Sequence, residues 1–162
     1  MTKARKQRTA LPVEDQTFIA LLKAADALAQ EAEQLLKANR LTGAQYNVLR
    51  ILRGAEPEGL ACSTIGEHMI SHDPDMTRLL DRMEKRSLIT RQRQSDDRRV
   101  VKTRITSRGL ETLKRLEQPI RELHKHQFHH MPAARVRTLA GLLGEILQRR
   151  DRKSTRLNSS HT

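Results

Sequence analysis

At Ile89 the sequence changes its period. Ile89, Arg91 and Arg93 alternate with Thr90, Gln92 and Gln94, and Val101, Thr103 and Ile105 alternate with Lys102, Arg104 and Thr106. A period of two belongs to a strand, whose successive side chains point to opposite faces. Between the two runs lies the polar turn Ser95-Asp96-Asp97-Arg98-Arg99, so the segment predicts a β-hairpin. Its arginines forbid burial on both faces, and the hairpin must project from the body that carries it.

That body reads as helical. Phe18, Leu21, Leu22, Ala25, Leu28, Ala29, Ala32, Leu35 and Leu36 step by three and four, with Lys23, Asp26, Gln30, Glu33 and Lys37 opposite. Such a long stripe needs several other helices, or a second chain, to cover it. Thr42-Gly43-Ala44-Gln45 has capping-box spacing and starts a second helix, with Val48, Leu49 and Leu52 inward and Gly54 and Pro57 as stops. A third helix is expected from Ser63 to Met69, with Ser71-His72 as a tight connection. Asp73-Pro74 offers an N-cap and a first-turn proline for a fourth, running to about Arg86 with Met76, Leu79, Leu80 and Met83 apolar. Two short helices about four residues apart have the spacing of a helix-turn-helix, and the hairpin behind them is then a wing. A fifth helix follows from about Ser107, with Pro119 expected to kink or shorten it. Pro132 opens a sixth, carrying Val136, Leu139, Leu143, Ile146 and Leu147.

Composition excludes several functions. No run approaches the 18 or so apolar residues of a membrane span, and no signal-peptide core follows the basic start. Cys62, the single cysteine, fits a reducing cytoplasm. No nucleophile–base–acid set, phosphate loop or HExxH spacing is present, so the chain does not read as an enzyme. The net charge of +12 and the pI near 10.8 ask for a polyanionic partner. Phe18, Tyr46 and Phe128 are the only aromatics and are expected in the core, which disfavours base stacking and favours double-stranded DNA. Residues 1–12 read as a basic disordered arm. Residues 151–162, polar throughout and breaking the helical pattern, resemble the translation of a sequencing-adapter oligonucleotide and are expected to be a non-native tail.

Charge concentrates where the hairpin lies. Lys85, Arg86, Arg91, Arg93, Arg98, Arg99, Lys102, Arg104 and Arg108 oppose only Asp96 and Asp97. A solvated face is the usual reading of a charge run, but this one follows a helix-turn-helix, where phosphate contacts are needed. At this point the chain resembles the MarR family of winged helix-turn-helix regulators, over roughly Gln16 to Arg150. Two linked motifs carry the resemblance. Asp75-Met-Thr-Arg-Leu-Leu-Asp-Arg-Met-Glu-Lys-Arg-Ser-Leu-Ile89 is similar to the family's recognition helix and the step into its wing. Asp96-Asp-Arg-Arg-Val-Val101 with Ile105-Thr-Ser-Arg-Gly-Leu110 is similar to the wing tip, return strand and next helix. Ser87 stands where the family commonly has glycine.

The resemblance implies a mainly α fold with a small β-hairpin wing: a winged helix-turn-helix over about 42–106, and N- and C-terminal dimerisation helices over about 14–38 and 107–150. It implies a cytoplasmic homodimer on pseudo-palindromic double-stranded DNA, most often a repressor, with room for a small-molecule effector and no cofactor. It places Ser71, His72, Asp75, Met76, Thr77 and Arg78 at the major groove, Arg98 in the minor groove with Asp96 or Asp97 orienting it or Arg99, and Arg91 and Lys102 on the wing strands against phosphate.

Bland readings stand beside these. Asp73 and Asp75 suit helix capping; Arg82 suits either phosphate or an ion pair with Asp81 or Glu84. Cys62 suits a small buried residue better than a peroxide sensor, which needs a lowered thiol pKa and a resolving partner. His124, His126, His129 and His130 cluster late in the fifth helix; His126 and His130, at i,i+4 spacing, are the nearest approach to a metal pair, and a solvated or interface cluster is the safer reading. The same surface would also serve a sequence-tolerant architectural DNA protein or a metal-responsive sensor. A helical adaptor would gain nothing from the arginine-loaded hairpin.

Overall fold

Thr42 and Gln45 form the capping box that their spacing predicts. The Gln45 N–H donates to Thr42 Oγ1, and the Thr42 N–H donates to Gln45 Oε1, both at 3.2 Å. They open α2 (Gly43–Gly54), whose Val48, Leu49 and Leu52 are buried. A carboxylate oxygen of Glu33 accepts the Gly43 N–H at 2.8 Å, so α1 (Val13–Ala38) satisfies a further donor at the start of α2. The computed structural model describes residues 11–71, 75–93 and 101–158. The chain divides into two compact units, residues 1–120 and 121–162. The expected arm and the turn Ser95–Arg99 therefore lie almost wholly outside the described residues.

The first unit holds α1, α2, β1 (Leu60–Ala61), α3 (Cys62–His68), α4 (Met76–Lys85), β2 (Ile89–Arg93), β3 (Val101–Ile105) and the first part of α5 (Ser107–Phe128). Its core joins Leu36, Leu41, Val48, Leu49, Leu52, Ile65, Leu79, Leu80, Met83, Leu88, Ile89, Ile105, Leu113, Leu116 and Ile120. Full burial of each such side chain contributes about 1.5–3 kcal/mol. The second unit holds the end of α5 and α6 (Ala133–Asn158).

The hairpin strands pair antiparallel with Ile89 opposite Ile105 and Arg93 opposite Val101, and this register keeps the alternating residues on matching faces. The sheet has a third strand the sequence did not announce. Leu60 and Ala61 pair with Thr103 and Lys102, giving the order β1-β3-β2. Two residues are too few for a period, but Gly59 marks the place. Its φ is +69°, and a Cβ there would lie 2.5 Å from the Thr103 carbonyl oxygen.

Four helix expectations are corrected. α4 starts at Met76 with Asp75 as its N-cap, so the Asp73-Pro74 signal does not set the start. The connection after α3 spans residues 69–75, longer than the four expected. Pro119 does not shorten α5: it is exposed, and buried Leu116 and Ile120 hold the helix by packing on either side of it. Residues 151–158 continue α6, because they are polar but include neither glycine nor proline.

One burial expectation also changes. Phe18, expected in the core, is 62% exposed, with Ile19 and Leu22 exposed beside it. Tyr46 packs against the core and Phe128 is half-buried. On α6, Leu142, Ile146 and Leu147 are exposed.

Candidate nucleic-acid interface

α4 has two faces. Leu79, Leu80 and Met83 are buried in the first unit's core, and Met76 packs half-buried against it. Thr77, Arg78, Arg82 and Lys85 lie on the other side, and all four are exposed. The buried face fixes the helix and leaves the opposite face free to read a surface.

The helix is capped at both ends. The Asp75 carboxylate accepts the Arg78 N–H at 3.3 Å and lies 3.2 Å from Arg78 Nε. Asp75 therefore serves as cap and as partner to the side chain expected to reach a base. At the other end Ser87 has φ 55°, its N–H donates to the Glu84 carbonyl at 2.8 Å, and the Leu88 N–H donates to the Met83 carbonyl at 3.0 Å. This is a Schellman motif with serine in the left-handed position that glycine fills best. Buried Leu88 and Met83 provide its apolar contact.

The wing strands divide their charges between two faces. Arg91 and Arg93 lie on the side of Ile89, Thr103 and Ile105, which are buried, whereas Thr90, Gln92, Lys102 and Arg104 share the other. Lys102 is half-exposed, and Arg104 is exposed with Nη1 3.2 Å from Gln92 Oε1. Arg104 belongs to the candidate surface as much as Lys102 does, and their i,i+2 spacing was the available signal.

Arg91, expected against phosphate, has its guanidinium bonded to carboxylates of α4. Its Nε and Nη2 donate to Glu84 Oε2 at 2.9 and 2.7 Å, and Nη2 also donates to Asp81 Oδ1 at 2.5 Å. Its backbone N–H donates to Glu84 Oε1 at 3.0 Å. The bonds to Glu84 hold the guanidinium above its ordinary pKa; desolvation opposes them and Asp81 adds to them. These bonds engage the two carboxylates named as ion-pair alternatives for Arg82, and Arg82 makes no ion pair among the described residues. Of the remaining candidates, Ser71 is exposed, while His72, Asp96, Asp97, Arg98 and Arg99 lie outside the described residues.

Cys62 begins α3, half-buried against the core. His126 stacks on His129 at 5.1 Å and 8°, and His129 meets His130 edge-on at 5.8 Å, so the i,i+4 pair is not the one brought together. Among the described residues no group of three or more His, Cys, Asp or Glu side chains is placed to hold a metal ion. An open hollow on α2 is lined by Asn47, Arg50, Ile51, Arg53, Gly54 and Ile70. Ile70 is 82% exposed, its N–H bonded to Asn47 Oδ1 at 2.8 Å, and Arg53 pairs with Glu117. Among the described residues no helix is long and apolar enough to cross a membrane.

Known proteins share this arrangement. Residues 41–101 match the MarR family model. The chain is 31% identical over 130 residues to the HTH-type transcriptional repressor IacR of Pseudomonas putida, covering 80% of this chain and 77% of that protein. It is 34% identical to a MarR transcription factor from Planctomyces limnophilus of solved structure, with a TM-score of 0.65 over 85% of this chain and 98% of that one. A mutant MarR from E. coli complexed with operator DNA superimposes with a TM-score of 0.74 at 23% identity, over 86% and 99% of the two chains, and shows the fold.

Proposed function

This chain belongs to the MarR family, and from that premise we propose that it is a homodimeric repressor that binds a pseudo-palindromic operator in double-stranded DNA. One observation carries the reading: the face of α4 bearing Thr77, Arg78 and Arg82 is uncovered while the opposite face is locked in the core. Thr77 can meet a thymine methyl and Arg78 can fork onto guanine. Lys102 and Arg104 supply point charges for phosphate, which position the protein without reading sequence. Arg98, His72 and Arg99 keep the roles the resemblance gives them, as does the Asp96 or Asp97 that it assigns to orienting Arg98 or Arg99.

The second subunit covers the exposed apolar residues of α1 and of α6, which a lone chain leaves in water. The protein acts in the cytoplasm, without catalysis and without a cofactor. A small-molecule effector regulates its binding to DNA.

Selection of duplexes from a random pool tests the reading. It is expected to enrich one sequence with two-fold symmetry. Graded affinity for unrelated duplexes, with no enriched sequence, would show an architectural DNA protein instead.

A further inference from the structure

Arg91 sits at an expensive position. On β2 it shares the face of buried Ile89, and it lies directly across from Thr103, whose buried hydroxyl has no hydrogen-bond partner among the described residues. A guanidinium there needs carboxylates, and α4 supplies two. Glu84 takes the backbone N–H of Arg91 with one oxygen and its guanidinium with the other, and Asp81 takes the guanidinium as well. β2 is an edge strand, so Glu84 also covers an N–H that the ladder leaves open. Asp81 follows Thr77 by four residues and Arg78 by three, and so shares the reading face of α4. The helix that reads and the strand that carries the wing are thus joined by four hydrogen bonds through one arginine.

The geometry points to Arg91 as a positioning residue for DNA recognition: clasped by Glu84 and Asp81, it holds the wing strand in one orientation relative to α4, so that both elements engage a duplex as a unit. The inference rests on the DNA-binding reading above. The arginine touches no DNA itself. Its charge is spent inside the protein, and its contribution is to specificity.

Two variants separate positioning from charge. R91M removes the clasp and leaves two bare carboxylates near phosphate; the triple variant D81N/E84Q/R91M removes the clasp and those charges together. Both are compared with wild type on the duplex enriched by selection and on a mixed-sequence duplex, at one salt concentration and below each variant's melting temperature. The ratio of the two affinities is expected to fall on the order of tenfold in both variants. Recovery of the wild-type ratio in the triple variant would overturn the inference, since Arg91 would then only neutralise carboxylates. Where R91M does not fold, E84Q, which keeps the arginine and removes its main partner, takes its place with the same expectation.

Hydrogen exchange on the free protein gives a second readout without DNA. Amides of β2 and β3 are expected to exchange about tenfold faster in either variant, with α2 amides unchanged. Unchanged β2 and β3 exchange would overturn the clasp. A wild-type chain that selects no duplex would instead overturn the DNA-binding reading on which the inference rests.

Discussion

The Thr106 hydroxyl donates to the Ser87 carbonyl at 2.7 Å and accepts the Gly109 N–H at 3.1 Å. One side chain so fastens the left-handed end of α4 to the first turn of α5, while the Thr106 N–H donates to the Leu88 carbonyl at 3.1 Å. Thr106→Val keeps the shape and removes both hydroxyl bonds. It is expected to cost about 1–2 kcal/mol in urea denaturation. The comparison is made at one protein concentration, because the stability of a dimer depends on it.

Ser87 itself predicts a gain. Its φ of 55° is costly for a residue with a Cβ and free for glycine. Ser87→Gly is expected to raise stability by about 0.5–1 kcal/mol, read as a higher denaturation midpoint at unchanged slope. A loss of stability would mean that the serine side chain has a role the Schellman geometry does not reveal.

Gly59 predicts the opposite sign. Its φ is +69°, and the methyl group of an alanine there would meet the Thr103 carbonyl oxygen at 2.5 Å, so Gly59→Ala must displace β1 from β3. A loss of about 2–4 kcal/mol is expected, with faster exchange at Leu60 and Ala61. A neutral substitution would show that β1 is dispensable.

Association is tested on α1. Leu22 is 55% exposed on a helix whose only buried residue is Leu36. Leu22→Asp is expected to shift the sedimentation of a wild-type dimer toward a dissociated or unfolded chain. A wild-type chain that sediments as a stable folded monomer at micromolar concentration would contradict the homodimer.

How far these features were legible in the sequence depends on their range. The Thr42–Gln45 box, the alternation of β2 and β3 and the buried stripe of α4 rest on spacings within one element, and those are visible in sequence. β1 was not, because two residues carry no period, although Gly59 stood before it. Arg91 read as one more cation in a basic run, since its partners Asp81 and Glu84 are reached only when β2 folds back on α4. The resemblance made α5 part of the dimerisation helices, yet its Leu113, Leu116 and Ile120 are buried within the chain's own first unit. Tertiary packing decided each of these.

Salt dependence measures how much of the surface meets phosphate. A dimer neutralising about eight phosphates is expected to show a log–log slope near −7, and so to lose about four decades of affinity between 50 and 200 mM salt. Lys102→Ala is expected to weaken all duplexes alike and to flatten the slope by about one per subunit. A wild-type slope shallower than about −3 would take the basic hairpin off the backbone.

The central claim is that the uncovered face of α4 reads sequence, and Arg78 tests it most directly. Its side chain is 78% exposed and its local partner is its own N-cap, so replacing it leaves the core untouched. Arg78→Ala is compared with wild type on the selected duplex and on a mixed-sequence duplex at one salt concentration. The account predicts a loss of about 1–3 kcal/mol per half-site on the selected duplex and a much smaller loss on the mixed one. Equal losses on both would make Arg78 a phosphate contact only, and the α4 face would not be the reading surface.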